Sequence, residues 1–282
     1  MHISKNSATQ IVEEISKLVK QNINLMDETG HIIASRDKSR IGDFHYGAYK
    51  IISENLEEYY IDEDDLSKGI KKGINLPLEL DGGIVGVIGM TGGYEEVITS
   101  GKLLKKMTEI LLMESRANYR QLMNKRVRNA FYEEWLINGG YKNADLEDRG
   151  MALGIDINKP RRVFIASIDE LDNLKDSQQG QSKIAKFEND VDAFLKRNNY
   201  KMHFRNASRQ IIIIDNMDTE NVVKFAGELA GYVWEKDKFE LNIGIDSAQS
   251  YDMHEAYVEA HRAWTAAAEK HEQIICYEDI SL

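Results

Sequence analysis

The sequence has a single cysteine and no long apolar segment. Cys276 is the only cysteine among the 282 residues, so no intramolecular disulfide can form and no oxidising compartment is indicated. No apolar run approaches the roughly 20 residues that a transmembrane helix needs, and the N-terminus lacks the apolar core of a secretory signal. The sequence therefore predicts a cytoplasmic protein that makes no membrane contact.

Basic residues are also scarce relative to acidic ones. The chain has 36 Lys and Arg against 47 Asp and Glu, which gives a formal net charge of -11. Such a surface repels nucleic acid, so we expect no direct contact with DNA. With 42% hydrophobic residues, the chain is long enough for two domains that each bury a core.

The signatures of common catalytic sites are missing as well. There is no His-x-x-x-His or cysteine pair that suggests zinc, and no Gly-x-Ser-x-Gly nucleophile motif. The acidic pairs, such as Glu95-Glu96 and Glu133-Glu134, occur in contexts typical of solvated faces. GGIVGVIGMTGG is glycine-rich but lies in a predicted hairpin, where it does not form a phosphate-binding turn. We therefore expect no enzyme activity, no cofactor and no metal.

The first 93 residues predict the order helix, strand, strand, helix, strand, strand. Apolar residues at helical spacing predict helices over 5–20 and 44–56. One hairpin joins Asn22–Met26 to Ile32–Ser35, and a second joins GINLPLEL to IVGVIGMTG through Asp81-Gly82-Gly83. This α+β order resembles PAS-type ligand modules.

A long helical pattern without proline follows over residues 94–138 and ends at Gly139-Gly140. A helix of roughly 40 residues is about three times the average length. The pattern therefore favours a connector that carries movement between domains and also dimerises. The alternative is two helices broken near Ser115–Asn118.

The second half predicts another α+β domain with an antiparallel component. Strands are predicted at 163–168, KMHFR, QIIIIDN, LNIGID and IICYE, and helices at 146–153, 182–197, 219–236 and 251–270. The hydrophilic stretch Asp169–Ser182, with its Gln-Gln-Gly-Gln, is expected to form a mobile loop.

The loop after the first hairpin concentrates groups that bind carboxylates. Arg can hold a carboxylate with two parallel hydrogen bonds, and hydroxyls and a helix N-terminus can satisfy its remaining oxygens. His45 would add a donor whose charge depends on local pH. The alternative is a solvated turn whose arginines pair with Asp43. The candidate ligand-binding residues are Ser35, Arg36, Arg40, Ile41, Gly42, His45, Gly47, Asn75, Leu76, Pro77, Met90 and Thr91.

NINLMDETGHIIASRDKSRIGDFHYGA resembles the opening of the sugar diacid recognition domain of CdaR-type bacterial transcriptional regulators. The triplet Arg40-Ile41-Gly42 and the H-x-G-A pattern at His45–Ala48 carry this resemblance, which extends through LPLELDGGIVGVIGMTG. The triplet is also similar to the PAS-like domains of citrate and fumarate sensor kinases. The resemblance implies a sensor of glucarate, galactarate or glycerate, and a transcriptional activator.

The end of the chain, YDMHEAYVEAHRAWTAAAEKHEQIICYEDISL, resembles the degenerate GGDEF-type domain of CdaR and PucR-type regulators. An active cyclase has a Gly-Gly-acidic-Glu-Phe turn, whereas this chain has Arg205–Gln210, RNASRQ, with neither the glycine pair nor the acidic residues. Metal-assisted phosphoryl transfer would therefore lack its ligands. Family members continue into a helix-turn-helix, so we expect DNA contact only through a module beyond Leu282 and expect this chain to be part of a longer regulator.

We therefore predict a PAS-like sensor domain (1–93), a signalling and dimerisation helix (94–140) and a degenerate GGDEF-like domain (141–282). A diacid would bind between the Ser35–His45 loop and the Asn75–Pro77 strand, and would move the long helix. The alternative is a dimerisation or scaffold module that senses no ligand.

Overall fold

The computed structural model describes residues 3–64, 70–139, 144–169, 176–250 and 252–280. The chain divides into two compact units, Met1–Met123 and Asn124–Leu282. Each unit combines helices with a five-stranded sheet, which confirms the predicted α+β class. Within the described residues, no helix combines the length and the apolar character needed to cross a membrane.

The first unit contains both predicted hairpins. Its sheet has the order β2-β1-β5-β4-β3, with every neighbouring pair antiparallel. The elements are α1 (Lys5–Ser16), β1 (Ile23–Met26), β2 (Ile32–Ser35), α2 (Tyr46–Glu54), β3 (Tyr59–Ile61), β4 (Gly73–Leu80) and β5 (Gly83–Thr91).

The two faces of this sheet are covered differently. Because side chains alternate along a strand, residues such as Leu25, Leu76 and Ile88 pack into one core together with residues of α1. Met26 and Val87 face the other way and pack on Ala48 and Ile51 of α2. The face covered by α2 carries the candidate site.

One continuous helix, α3 (Tyr94–Tyr132), follows β5 and continues into a π-helical turn at Glu133–Ile137. The prediction of a single long helix is therefore confirmed, and the alternative of a break near Ser115–Asn118 is wrong. Leu104 and Leu112 pack into the core of the first unit.

The second unit has the sheet order β10-β9-β6-β8-β7, in which only the β9–β10 pair is parallel. Helices α5 and α6 pack on one face, whereas α7 packs on the other. The elements are α4 (Ala144–Ala152), β6 (Arg161–Ile168), α5 (Gln178–Arg197), β7 (Met202–Asn206), β8 (Arg209–Asp215), α6 (Thr219–Asp237), β9 (Leu241–Ile245), α7 (Met253–Lys270) and β10 (Ile274–Cys276).

The loop prediction for Asp169–Ser182 is wrong in its last part. Helix α5 begins at Gln178, so the Gln-Gln-Gly-Gln segment forms its first turn. The side chain of Ser177 accepts a hydrogen bond from the Gly180 N–H at 2.9 Å, which stabilises the helix start. Residues 170–175 of the predicted loop lie outside the described residues.

Candidate ligand-binding site

A row of residues crosses all five strands of the first sheet. Asn24 pairs with Ser35 on β2 and with Gly89 on β5. Asn75 pairs with Gly89 and with Tyr59 on β3. Because cross-strand partners point to the same face, this register aligns Ser35, Asn24 and Asn75 on the side covered by α2.

A small cavity adjoins this row. Its volume is about 10 Å³, roughly the space of one water molecule. A larger ligand can therefore enter only if the surrounding side chains move apart. The cavity is lined by Asn24, Arg40, His45, Lys71, Gly73, Ile74, Asn75, Gly89, Met90 and Thr91.

Arg40 contacts the sheet through Asn24. When the Asn24 amide is oriented to satisfy both of its neighbours, Arg40 Nη1 donates to Asn24 Oδ1 at 3.0 Å and Asn24 Nδ2 donates to Ser35 Oγ at 2.7 Å. Ser35 Oγ also accepts from the Asp37 N–H at 3.0 Å. This chain of contacts positions a guanidinium group beside the cavity.

His45 is the buried N-cap residue of α2. Its Nδ1 accepts from the Ala48 N–H at 3.4 Å. Burial, together with the charge of Arg40, lowers the pKa of His45 to about 4. The ring is therefore neutral near pH 7 and, because Nδ1 is the acceptor, carries its proton on Nε2. His45 thus supplies an uncharged donor, and its titration lies well below neutrality.

Lys71 provides a second cation at the cavity. Two hydrogen bonds from Ser39 lower the pKa of Asp37, and the charges of Lys71 and Arg40 lower it further. Both cations are thus close enough to Asp37 to act on one carboxylate. A carboxylate of a ligand would experience the same two charges in the cavity.

Five of the twelve predicted residues line the cavity, and two more contact its lining. Arg40, His45, Asn75, Met90 and Thr91 are the five. Ser35 hydrogen-bonds Asn24. A Cβ atom at Gly47 would lie 2.5 Å from Asn75 Nδ2, so the absence of a side chain at Gly47 leaves room for that amide.

The structure does not bring the remaining five to the cavity. Arg36 Nη1 donates to the carbonyl oxygens of Val19 at 2.9 Å and Lys20 at 2.7 Å. Ile41 is exposed, and Gly42, with a φ of +99°, has open space around it. Leu76 packs into the core on the opposite face. Pro77 lies on β4, two residues after Asn75. A role of these five residues in binding stays a prediction.

Five cavity residues are not among the twelve candidates: Asn24, Lys71, Gly73, Ile74 and Gly89. Asn24 and Gly89 reach the site through the register of β1 and β5, which a single sequence does not specify. Lys71 precedes β4 and lies far along the chain from Arg40. The sequence signal for Asn24 is its polar side chain within the otherwise apolar strand β1.

In the second unit, residues Asn206–Arg209 form the predicted hairpin between β7 and β8, with Ala207 at a φ of 54°. The guanidinium of Arg209 lies 4.8 Å from the ring centre of Trp264 and contacts His261. Arg209 of the hairpin thus lies against an aromatic ring of α7, and the turn Asn206–Arg209 contains no carboxylate. Among the described residues, no group of three His, Cys, Asp or Glu side chains could hold a metal ion.

Comparison with known families covers almost the whole chain. Residues 3–135 match the family described as "Putative sugar diacid recognition", and residues 138–266 match the GGDEF-like domain family. The first part of the chain is therefore a sugar diacid recognition domain, and its second part is a GGDEF-like domain.

Curated relatives support this assignment. The chain is 37% identical over 172 residues to the carbohydrate diacid regulator of Escherichia coli K12, covering 60% of this chain and 44% of that protein. It is 31% identical over 159 residues to protein YsfB of Bacillus subtilis 168, covering 56% and 43%. The match therefore spans less than half the length of either relative.

A solved structure, PelD from Pseudomonas aeruginosa PAO1, aligns with 87% of this chain and 84% of its own at 10% identity. Its TM-score is 0.26, so this likeness carries no argument about fold or function.

Proposed function

We propose that this chain is the ligand-sensing part of a bacterial transcriptional regulator and that its recognition domain binds a sugar diacid or a related hydroxy acid. The observation that carries this proposal is the cavity beside α2, where two cations meet neutral hydrogen-bonding groups. Arg40 and Lys71 line it together with His45 and Asn75. The name of the Escherichia coli relative, a carbohydrate diacid regulator, supports the same ligand class.

The charges suit a carboxylate. Hydrogen bonds between a guanidinium or ammonium group and a carboxylate contribute about 1.5–3 kcal/mol each. The Nε2–H of neutral His45 adds a further donor, and the N-terminus of α2 follows directly at Tyr46, where the helix dipole favours negative charge. The cavity must open to admit a ligand of three to six carbons.

The position of the cavity also suggests where a signal would go. Thr91 lines the cavity at the end of β5, and α3 begins three residues later at Tyr94. Separation of Arg40 and Lys71 by a ligand would displace this strand end and, with it, the start of α3. A ligand shifts such an equilibrium only if it binds one state more tightly. Transcription would then respond through a DNA-binding module outside this chain.

Thermal unfolding of the full chain with galactarate, glucarate or glycerate tests the proposal. At about 100 times its dissociation constant, a ligand that binds only the folded state should add about 2.7 kcal/mol of stability. Chloride at equal ionic strength is the control for non-specific salt effects. If none of the three acids shifts the transition at millimolar concentration, the recognition domain does not sense this class of ligand.

A second part of the proposal is a homodimer formed through α3. Leu103 and Ile110, seven residues apart on this helix, are 61% and 62% exposed, and Met113 is also exposed. An apolar row at this spacing favours packing against a second helix. This surface also supports the alternative function of a dimerisation module that binds no ligand.

Sedimentation analysis separates these possibilities. The unaltered chain should be a dimer, and the double substitution Leu103→Glu with Ile110→Glu should make it a monomer. Leu18→Glu, at an equally exposed apolar residue of the first unit, is the matched control and should stay dimeric. A monomeric unaltered chain would contradict the dimer.

A further inference from the structure

The amide of Asn75 is buried, and only one of its two polar atoms has a partner. The residue is 2% exposed, and its Nδ2 donates to the Tyr59 carbonyl oxygen at 3.2 Å. Its Oδ1 accepts no hydrogen bond from any described residue. The Tyr59 carbonyl fixes the orientation of the amide, because the opposite orientation would place two acceptors against each other.

The unsatisfied Oδ1 belongs to a residue of the cavity lining. Asn75 and Gly89 both line the cavity. An added Cβ at Gly89 would be 3.1 Å from Oδ1, and one at Gly47 would be 2.5 Å from Nδ2 and 3.1 Å from Oδ1. A ligand that opens the cavity can therefore approach Oδ1 without meeting a side chain of either glycine.

A buried acceptor without a donor is unfavourable in the unliganded site, and a ligand that supplies a donor removes this cost. The carboxylates of a diacid cannot do so near neutral pH, because an ionised carboxylate only accepts hydrogen bonds. A ligand hydroxyl can donate to Oδ1. Plain and hydroxylated diacids would both bind Arg40 and Lys71 through their carboxylates. Only a hydroxylated diacid would donate a hydrogen bond to Asn75.

We infer that Asn75 is a specificity-determining residue whose buried Oδ1 accepts a hydrogen bond from a ligand hydroxyl and so selects hydroxylated diacids over plain dicarboxylates. This inference rests on the proposed function. A site built to hydrogen-bond a substrate hydroxyl discriminates strongly against an analogue that lacks it.

Calorimetry with two acids of the same length tests this role. Galactarate and adipate are both six-carbon diacids, but adipate has no hydroxyl groups. The unaltered chain should bind galactarate at least about tenfold more tightly than adipate. In Asn75→Leu, which keeps the side-chain size and removes the acceptor, this ratio should fall to about threefold or less. Asn75→Ala is the second variant if the first does not fold.

The ratio of the two affinities cancels any loss that affects both acids equally. Asn6→Leu, the same substitution at an exposed residue of α1, should leave the ratio as in the unaltered chain. An unchanged ratio in folded Asn75→Leu or Asn75→Ala would overturn the role of Asn75 while leaving the proposed function intact. If galactarate, glucarate and glycerate all fail to bind the unaltered chain, the proposed function itself falls and the role of Asn75 falls with it.

Discussion

The recognition domain and the GGDEF-like domain each place an arginine among buried polar groups, but the hydrogen bonding around the two arginines differs. In the GGDEF-like domain, Arg162 Nε donates to Asp246 Oδ1 at 2.7 Å, and Nη2 donates to the Asp246 carbonyl at 2.8 Å. The second carboxylate oxygen accepts from the Val163 N–H at 2.9 Å. In the recognition domain, Arg40 instead borders a cavity beside Asn75, whose Oδ1 has no donor among the described residues.

A structural cluster differs from a binding site in whether its polar groups satisfy one another. A buried polar network whose members satisfy one another makes one arrangement of the chain rigid. Where a network leaves a hydrogen-bond acceptor unsatisfied next to a cavity, a ligand in the cavity can donate the missing hydrogen bond. We therefore assign the Arg162–Asp246 pair to stability and propose that the cluster around Arg40 serves ligand recognition.

The largest effect on stability is expected from breaking the Arg162–Asp246 pair. Arg162→Met would leave the Asp246 carboxylate buried without its cation and should reduce the free energy of unfolding by about 3–5 kcal/mol. Urea unfolding measures this loss. Arg162→Met combined with Asp246→Leu should recover most of the stability, because both charges are then gone. If the single variant is as stable as the unaltered chain, the pair does not hold the GGDEF-like domain together.

A smaller effect is expected from the pH dependence of His45. Its pKa of about 4 in the folded chain lies below the unfolded value of about 6.5. The unfolded chain therefore binds the proton first as the pH falls, so the stability contributed by neutral His45 is complete above about pH 6.5. This contribution is lost as the pH approaches 4, and the loss amounts to about 3 kcal/mol.

The comparison with His45→Asn isolates this contribution, because Asn can also cap α2 and does not titrate. The difference in unfolding free energy between the two chains should shrink or reverse between pH 7 and pH 4. Parallel curves over that range would show that His45 titrates normally and is not held neutral by its surroundings.

A still smaller effect is expected at Gly47, which leaves room for the Asn75 amide. The Cβ of Gly47→Ala would lie 2.5 Å from Asn75 Nδ2 and 2.8 Å from its Cγ. Displacing that side chain should cost about 1–3 kcal/mol of stability and weaken diacid binding. Thermal unfolding and calorimetry on the same preparation measure both.

Gly231→Ala in α6 is the matched control, since no atom lies within 4 Å of the added Cβ. Alanine there should raise stability by about 0.5–1 kcal/mol, because it is the better helix former. Equal effects at Gly47 and Gly231 would show that Gly47 is not needed for the packing of Asn75.

Most elements of both domains could be predicted from sequence because their apolar patterns are strong, but the three-residue strand β3 (Tyr59–Ile61) is too short for such a pattern. The hairpins, the long helix and the strands of the second unit all appear where alternation or helical spacing places them. The first turn of α5 does not follow from an apolar pattern, because Gln-Gln-Gly-Gln is polar and the turn depends on the Ser177 cap. Capping depends on one side chain and leaves little trace in an apolar pattern.

The candidate site could be predicted only in part. Arg36 and Arg40 lie in the same loop and are equally good candidates from sequence. In the structure, however, Arg36 donates hydrogen bonds to the carbonyl oxygens that follow α1. Asn24 and Gly89 lie at the site because of strand register. Lys71 lies there because it immediately precedes β4. Sequence proximity indicates which loop carries the site, whereas side-chain direction and register determine its members.

Calorimetric titration of galactarate into the unaltered chain, Arg40→Gln and Arg36→Gln tests whether Arg40 binds the carboxylate of the ligand. Each substitution removes one positive charge from the same loop, but only Arg40 lines the cavity. We expect Arg40→Gln to weaken binding by about 10- to 100-fold and Arg36→Gln to bind as the unaltered chain does. Equal affinity in all three chains, or a loss confined to Arg36→Gln, would contradict this role of Arg40.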